Sequence, residues 1–444
     1  MADSDLASLA GEAYIYGYPL VADLDEVVRF TRTGMGSVPA APFNQFSHAR
    51  TLAGPADTFV TINNDTLYSI AQLDLSAGPL ELAVPDTAGR YYVLQFIDAW
   101  TNNFAYVGKR ASGTAAASYL VTPPGWHGEV PEGVTQIPAP TRVASILGRW
   151  ACDGVDDLPA VHALQDQLSL HPQQEGAAAD GVPEPSADVP DELGFYERLR
   201  TWMRAFPPAP EDQNYQQRFD PLGLLDEATP YRDPPAALSQ ALTDGLAAAK
   251  TRLEEFTRTG TVQKVNGWML GLHMFDYNLD FFGPGTVDAP QWKKPDRTTA
   301  YPERALSARV GLWGNHAYEA TYAQTFQDDQ GEQLTGSRRY SIRFPQQPPV
   351  DGFWSLTMYD IPRYYLVDNP INRYSIGDRT PGLRYSPDGS LTIFLQHGPP
   401  DGDDQQANWL PTPAGDFRPI MRLYQPGPAI LDGTYKLPPI RRIG

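Results

Sequence analysis

Residues 91–110 join a strongly β-prone run to a polar turn, and this stretch constrains the fold more than any other. In Tyr91–Ile97 apolar and aromatic side chains fall on both faces, so the pattern predicts a central strand that is covered on both sides. The turn that follows places amides and rings at a strand end, which is typical of a binding site. Its polar and aromatic residues are Asp98, Trp100, Asn102, Asn103 and Tyr106.

Short β-prone runs fill two blocks of the chain, from about residue 40 to 150 and from about 335 to the end. Many short strands between Gly, Pro and Asn turns favour a β-sandwich over alternating β-α units. In the first block the predicted strands are Phe59–Ile62, Leu67–Leu73, Leu80–Val84, Tyr91–Ile97 and Ser118–Thr122. In the second they are Tyr340–Phe344, Phe353–Tyr359, Leu391–Gln396 and Ile420–Tyr424.

The two blocks show similar segments in the same order. Residues 91–98 and 353–360 are both predicted strands that follow a Pro and a loop with Gly. Each begins with an aromatic pair and ends in Asp. Further along, residues 118–125 parallel 392–400, and residues 147–150 parallel 421–424. This order predicts an internal duplication, with two sandwiches of one topology.

Helical periodicity lies before and between the two blocks. Apolar residues recur every three or four positions over residues 4–32, and an interruption at Gly17–Pro19 predicts two helices joined by a kink. The same spacing recurs in residues 193–206 and 238–256, whereas residues 171–190 lack it and predict a linker.

We therefore expect a β-rich α+β fold, with two jelly-roll-like β-sandwich domains, N-terminal helices and a helical insert between the sandwiches. The expected segments are the N-terminal helices plus first sandwich at 1–170, a linker at 171–190, the helical insert at 191–305 and the second sandwich at 306–444.

Charge and cysteine usage exclude several classes of protein. The net charge of −19 argues against a nucleic-acid or acidic-membrane partner, because those surfaces need clustered Lys and Arg. The single cysteine, Cys152, rules out an intrachain disulfide and a Cys-based zinc cluster. The sequence shows neither a basic leader nor an apolar run of 18 residues, so we expect a cytoplasmic protein without a membrane span.

Several longer motifs carry a resemblance to a known family. In the N-terminal half they are Tyr14–Leu20, Asn63–Ser69, Gly89–Tyr92 with Asp98, Thr101–Phe104 and Asp156–Leu158. In the C-terminal half they are Phe353–Asp360, Asn369–Gly377, Asp388–Leu391, Asn408–Pro413 and Arg422–Pro426. Together these motifs resemble the paired family called domain of unknown function 1254 and domain of unknown function 1214. The resemblance implies a bacterial, oligomeric protein with two jelly-roll-like β domains and a helical region, and it implies no agreed activity.

The candidate catalytic residues are Asp65, Tyr68, Asp98 and His48. Two carboxylates that share an apolar mouth would push their pKa values apart, so Asp65 and Asp98 at one end of the first sandwich could act as acid and base. His48 has hydrogen-bonding neighbours suited to acid–base work. The alternative is structural, because Asx residues also form tight turns by bonding their own backbone.

The candidate ligand-binding residues offer amides, aromatic faces and a guanidinium group. An arginine can clamp a carboxylate or phosphate through two parallel hydrogen bonds, although arginines stacked on tyrosine or paired with aspartate are common. No histidine pair has metal-binding spacing, and no nucleotide-binding glycine motif occurs, so we expect neither a metal nor another cofactor. The ligand-binding candidates are Asn64, Trp100, Asn102, Asn103, Tyr106, Arg110, Tyr359 and Trp409.

These residue types favour a metal- and nucleotide-independent enzyme that acts on a small organic molecule by acid–base chemistry, as a hydrolase, a lyase or an isomerase or cyclase. We expect its cleft between the sandwich and helical regions, and we expect a homo-oligomer. Two alternatives stay open: a non-catalytic carbohydrate- or small-ligand-binding protein, and a self-assembling structural jelly-roll protein. An enzyme should bury Asp65 or Asp98 in an enclosed pocket, a binding protein should show its rings in a shallow groove, and an assembly unit should bury the polar turns at a subunit interface.

Overall fold

The computed structural model describes residues 3–57, 61–174, 178–259 and 264–443. The chain begins with one long helix, α1 (Asp3–Thr33), so the predicted break at Gly17–Pro19 is wrong. Pro19 lies inside the helix, where burial of neighbours such as Leu20 and Leu24 stabilises a turn that lacks one N–H donor. Gly17 serves packing instead, because a Cβ there would lie 2.3 Å from the Leu199 side chain.

The first β-sandwich contains two facing sheets. Sheet A has the strand order β1-β2-β8-β4-β5 and sheet B the order β7-β6-β3-β9. Their inner faces enclose an apolar core that includes Leu67, Leu82, Leu94 and Val121. The elements are β1 (Ser47–His48), β2 (Thr66–Asp74), β3 (Leu80–Val84), β4 (Tyr92–Asp98), β5 (Asn103–Gly108), β6 (Ala117–Thr122), β7 (Thr135–Pro138), β8 (Val143–Ala151), α2 (Leu158–Gln165) and β9 (Ser169–Pro172).

The helical region packs on the outer face of sheet A, the face turned away from the sandwich core. There Ile70, Ile97 and Leu147 join one apolar cluster with residues of α1, including Leu20 and Val27. The further helices are α3 (Gly194–Ala205), α4 (Pro210–Gln216), α5 (Ala236–Thr259) and α6 (Arg297–Gly311). Between α5 and α6 lie two short strands, β10 (Lys264–Val265) and β11 (Trp268–Leu270).

The second sandwich is formed by sheet C, with the order β10-β11-β12-β18-β14-β15, and sheet D, with the order β17-β16-β13-β19. Its core includes Ile342, Leu356, Leu395 and Met421. The elements are β12 (Ala320–Gln324), β13 (Tyr340–Phe344), β14 (Trp354–Asp360), β15 (Ser375–Gly377), β16 (Leu391–Gln396), α7 (Asp403–Ala407), β17 (Trp409–Pro411), β18 (Phe417–Tyr424), α8 (Pro428–Leu431) and β19 (Arg441–Arg442).

The two sandwiches have the same topology. The strand order β2-β8-β4-β5 of sheet A recurs as β12-β18-β14-β15 in sheet C, and β9-β3-β6-β7 of sheet B recurs as β19-β13-β16-β17 in sheet D. Even the parallel pair recurs, as β6 with β7 and β16 with β17. The predicted duplication is confirmed.

The predicted secondary structure is largely confirmed. Every predicted strand of both blocks overlaps an observed strand, except Phe59–Ile62. Residues 59 and 60 of that prediction lie outside the described part of the chain, and residues 61 and 62 are not in a strand. The fold is thus a β-rich α+β fold with several sheets and an N-terminal helix, while its jelly-roll detail and the segment boundaries stay predictions. Within the described residues, no helix combines the length and apolarity needed to cross a membrane.

Sheets A and C pack against each other through parts of their outer faces. Tyr91, Val93 and Ala151 of the first sandwich form one buried cluster with Phe353 and Tyr424 of the second. Side chains alternate between the faces of a strand, so the neighbours of these residues two positions along each strand point into the same interface.

Candidate functional site

Two buried arginines occupy equivalent positions at the interface between sheets A and C. Arg149 on β8 is opposite Tyr68 on β2, and Arg422 on β18 is opposite Tyr322 on β12. The arginines are 6% and 4% exposed, whereas both tyrosines are only half-buried. The duplicated fold therefore brings two Tyr–Arg pairs to one interface.

The guanidinium groups are held by neutral acceptors. Arg149 donates to the Gln95 side chain at 2.8 Å and to the Trp313 carbonyl at 3.1 Å. Arg422 donates to the Thr357 hydroxyl at 2.9 Å and to the Thr61 carbonyl at 2.8 Å. Neither arginine has a carboxylate within ion-pair distance in the described parts of the chain. A buried cation without a paired carboxylate is costly, so an anion that reached this interface would be stabilised.

Asp65 lies immediately before β2, and its charge acts on Arg422. Its carboxylate is buried and accepts hydrogen bonds from the Ser355 hydroxyl at 2.6 Å and the Tyr424 hydroxyl at 3.2 Å. Burial and the nearby Asp65 charge raise the pKa of Tyr424 well above its ordinary value, although Arg422 opposes the change. Tyr424 is therefore a protonated hydroxyl that can donate to a carboxylate.

A second buried carboxylate, Glu319, lies on the other side of the same cluster. It accepts a hydrogen bond from the Tyr91 hydroxyl at 3.0 Å and pairs with Arg110, whose side chain also lies 4.8 Å from the Tyr318 ring centroid. Burial raises the pKa of Glu319, and Arg110 partly offsets that effect. Arg110, predicted to bind a ligand, is thus already bound to a carboxylate.

Asp98 does not share a site with Asp65. Both flanking strands pair with β8, which gives a common scale for the two positions. Asp65 precedes Thr66, the partner of Ala151 on β8, whereas Asp98 pairs with Ala144. The two carboxylates are therefore about seven residues, or about 20 Å, apart along β8. Asp98 instead caps its own turn, where it accepts from the backbone N–H groups of Trp100 and Asn102. The prediction of a shared carboxylate site is wrong, because the two residues lie at opposite ends of β2 and β4, the two strands that flank β8.

The rest of the 98–103 turn is part of the helical core. Trp100 donates to the Phe206 carbonyl at 2.7 Å and packs against Tyr16. Asn102 donates to Asp98 and accepts from Arg304, and Asn103 accepts from Gln95. Trp100, Asn102 and Asn103 are all buried, and their side chains form hydrogen bonds within the protein. The buried hydroxyl of Thr101, in the same turn, has no partner among the described residues.

Tyr106 and Tyr359 also face the sandwich interface. The Tyr106 hydroxyl lies 3.1 Å from Nδ1 of His316, and burial lowers the pKa of His316 to about 3. The Tyr359 hydroxyl donates to the Ile62 carbonyl at 2.6 Å, and the Arg422 guanidinium lies 5.5 Å from the centre of its ring. Of the predicted residues, the structure therefore brings Asp65, Tyr68 and Tyr359 together around Arg422 and Arg149.

The remaining predicted residues lie elsewhere. His48 sits on the edge strand β1 with its Nδ1 atom 2.7 Å from the Ser69 hydroxyl, and burial lowers the pKa of His48 to about 4. Asn64 donates to the Ala53 carbonyl, which fixes a loop. Trp409 is buried within the second sandwich and donates to the Gln396 carbonyl at 2.8 Å, as expected for a packing role.

Two depressions border the interface. A cavity of about 20 Å³ is lined by Tyr68, Ile62 and residues 35–38, and this volume suits one water molecule. On the opposite side, an open groove of about 460 Å³ lies over Tyr91 and Phe353. The groove is the larger of the two spaces by far.

Sequence reasoning missed Arg149, Arg422 and Tyr322 because the two halves were aligned one residue out of step. Matching residues 147–150 with 421–424 sets Arg149 beside Leu423. The register shows that Arg149 corresponds to Arg422 instead, since Arg149 is opposite Val93 and Arg422 is opposite Ser355. A shift by one residue moves a strand's side chains to the other face of the sheet, so the equivalence of Arg149 and Arg422 did not show in the sequence comparison.

Two family models match separate regions of the chain. Residues 43–172 match the family described as protein of unknown function DUF1254, and residues 319–428 match the family described as protein of unknown function DUF1214. No curated protein matches the chain.

Two solved structures are similar to this chain over nearly its whole length. The VPA0106 protein from Vibrio parahaemolyticus has a TM-score of 0.73 at 25% identity, with 99% of this chain and 100% of that chain covered. An uncharacterized protein from Burkholderia cenocepacia has a TM-score of 0.44 at 13% identity, with 99% and 95% covered. With a DUF1254 region in the first half and a DUF1214 region in the second, the chain belongs to the paired family that joins these two domains of unknown function.

Proposed function

We propose that the protein is an enzyme that performs acid–base chemistry on a small organic acid at the interface between sheets A and C. The observation that carries this proposal is the pair of equivalent buried arginines, Arg149 and Arg422, which form no ion pair in the described residues, together with the buried carboxylate of Asp65 near Arg422. Two fixed guanidinium groups suit a carboxylate or another planar anion.

In this proposal Asp65 is the base that removes a proton from the bound acid, and Tyr424 is the hydroxyl donor beside it. The hydrogen bonds from Ser355 and Tyr424 hold the Asp65 carboxylate in one orientation. In elimination, isomerisation and cyclisation such a base takes a proton from the acid itself, and in hydrolysis it takes a proton from the attacking water. No metal or nucleotide is part of the proposed chemistry.

The test is a comparison of the wild-type protein with Asp65→Asn. Each is incubated with a panel of small carboxylic acids, and mass spectrometry and proton NMR follow loss of the acid. We expect the wild type to convert at least one acid, and Asp65→Asn to convert it at least about 100-fold more slowly, the size of effect typical of a lost general base. Asp329→Asn, at an exposed position, is the matched control and should keep the activity.

Equal rates for the wild type and Asp65→Asn would contradict the role of Asp65. Failure of the wild type to convert any acid, with thermal stabilisation by one of them, would favour a second candidate, a non-catalytic small-ligand-binding protein. The open groove beside Tyr91 and Phe353 supports that candidate, because a shallow, polar depression is a common form of binding site.

Other features belong to the proposal as well. In each half the chain passes between two facing sheets, which supports a jelly-roll-like description. The polar turns capped by Asp98 and Asp360 support the structural, self-assembling alternative. We propose a homo-oligomer, which light scattering of the purified protein would test. A cytoplasmic location is supported by the single, unpaired cysteine, Cys152.

A further inference from the structure

The groove of about 460 Å³ lies where the first residues of β4 and β14 meet. Tyr91 and Phe353, which precede these strands at equivalent positions, form its floor with their rings 5.4 Å apart. Its walls carry three basic side chains, Arg90, Lys109 and Arg379, and one acidic side chain, Asp153. Arg90 and Arg379 are each paired with an aspartate, Asp157 and Asp153, so Lys109 gives the groove its excess positive charge.

The two arginines of the groove are held in fixed positions. Arg90 forms a bidentate pair with Asp157 and donates to the Ala151 carbonyl at 2.8 Å. Arg379 lies 3.6 Å from the centre of the Phe353 ring and donates to Asp153 and to the Asp65 carbonyl.

Each arginine retains donor capacity. The Nε–H groups of Arg90 and Arg379 have no hydrogen-bond partner among the residues that the structure describes, and both side chains remain partly exposed, at 21% and 25%. A guanidinium that is already oriented loses little freedom when it binds an anion.

Lys109 supplies the third cation, and its ammonium group makes no ion pair or side-chain hydrogen bond in the described ranges. Lys109 and Arg379 line the groove from comparable places in the two halves, since Lys109 follows β5 and Arg379 follows β15. An unpaired ammonium beside two anchored guanidinium groups is an arrangement that attracts oxyanions.

Two equivalent glycines fix these basic residues near the strand starts. A Cβ at Gly108 would lie 2.4 Å from the Tyr92 carbonyl oxygen, and a Cβ at Gly377 would lie 2.0 Å from the Trp354 carbonyl oxygen. Only glycine allows this close approach, so the chain leaves β5 and β15 in the same manner in both halves.

We propose that this groove is a second binding site, which takes a small molecule bearing a carboxylate or phosphate group. Its volume falls within the range of small-molecule sites, and the three basic groups can surround one oxyanion. The site differs from the proposed catalytic interface in its residues, because Asp65, Arg149 and Arg422 are not among the residues that line the groove. It is therefore expected to bind its anion whether or not the interface is catalytic.

Isothermal titration of the full-length protein with inorganic phosphate, and separately with citrate, tests the proposal. We expect binding of at least one probe, weakened about tenfold or more by Lys109→Gln, which removes one charge-assisted contact. Lys250→Gln, an exposed lysine on α5, removes the same charge elsewhere and should leave the affinity unchanged. Because Lys109 has no side-chain partner, its substitution is not expected to unfold the protein, and a thermal melt checks this.

Binding of phosphate alone would assign the groove to a phosphate group, and binding of citrate alone would assign it to a carboxylate. Absence of binding by the wild type, or equal affinity in Lys109→Gln, would overturn the proposal. Loss of binding in Asp65→Asn with Lys109→Gln unaffected would place the anion at the sheet interface instead, which separates failure of this proposal from failure of the proposed enzyme.

Discussion

Arg149 and Arg422 are bound in the same way on opposite sides of one interface. Nη1 of Arg149 donates to Gln95 on β4, and Nη1 of Arg422 donates to Thr357 at the equivalent position of β14. Each arginine also donates to a backbone carbonyl from the other half of the chain, Trp313 for Arg149 and Thr61 for Arg422, so both halves hold each guanidinium group. Both halves of the duplicated fold thus contain a buried arginine that donates to a neutral side chain on the adjacent strand.

Substitution of Arg149 by lysine tests how much this fixed geometry matters. A single ammonium cannot reach both the Gln95 oxygen and the Trp313 carbonyl in the fork geometry of a guanidinium. We expect Arg149→Lys to lower the free energy of unfolding by about 2 kcal/mol, the cost of one lost hydrogen bond to a charged group. Urea denaturation measures the change, and the exposed substitution Arg252→Lys serves as control. Equal denaturation midpoints for the two variants would contradict the prediction.

Asp98 should make stability depend on pH in an unusual direction. Burial raises the pKa of Asp98 from 3.8 to about 6. Between these pH values the folded protein holds a proton that the unfolded chain has lost. This group therefore lowers the free energy of unfolding as the pH rises from about 4 to about 6, by at most about 3 kcal/mol.

In Asp98→Asn the side chain cannot ionise, but its oxygen can still accept from the turn. From pH 4 to pH 7 the wild type should therefore lose stability that Asp98→Asn keeps. We expect the free energy of unfolding of the variant to rise relative to that of the wild type by up to about 3 kcal/mol over this range. Urea denaturation at the two pH values measures the shift, with Asp329→Asn as an exposed control. A shift toward the wild type would show that the Asp98 carboxylate is stabilised rather than penalised by burial.

The contact between Gly17 and Leu199 predicts a size-dependent pair of substitutions. A methyl group at Gly17 would overlap the Leu199 side chain, so Gly17→Ala should destabilise the protein by about 1–3 kcal/mol. Leu199→Ala alone should cost about 2–5 kcal/mol because it leaves a cavity. The double variant should be more stable than the sum of the single effects predicts, as measured by thermal or urea unfolding. Strict additivity would mean that α1 and α3 move apart without cost.

His48 provides a spectroscopic prediction. The Ser69 oxygen accepts from Trp150 and Gln165, so its proton is directed to Nδ1 of His48. With the pKa of His48 lowered to about 4 by burial, the ring should be neutral at pH 7 with its proton on Nε2. Nitrogen-15 NMR should show an unprotonated Nδ1 and no titration between about pH 5 and pH 8. Titration near pH 6.5, or a protonated Nδ1, would contradict this arrangement.

Local sequence patterns predicted the strands well because each depends on residues close in the chain. Leu80–Val84, Tyr340–Phe344 and Leu391–Gln396 have the same bounds in the structure as in the prediction. Pro19 misled the analysis of α1, since tertiary packing outweighs a local helix breaker when both sides of the helix are buried.

The site was harder to predict because it depends on register and strand direction. Asp65 and Asp98 look alike in sequence, yet Asp65 precedes β2 whereas Asp98 ends β4. Because β2 and β4 are both antiparallel to β8, they run in the same direction, and the two carboxylates lie at opposite ends of sheet A. Asp65 itself was identified correctly as a buried carboxylate, but its partners Ser355 and Tyr424 lie about 290 and 359 residues away along the chain. No local motif connects residues at such separations.

The fusion of two similar sandwiches into one chain allows a chemical asymmetry that a pair of identical subunits cannot have. Where the first half has Tyr91 the second has Phe353, and only the tyrosine hydroxyl reaches Glu319. Where the first half has Val93 the second has Ser355, and only the serine hydroxyl reaches Asp65. In a homodimer every such change would appear twice. Here Glu319 has a hydroxyl donor from the first half and Asp65 has one from the second half. Two sandwiches of one topology can therefore form an interface whose two sides differ chemically.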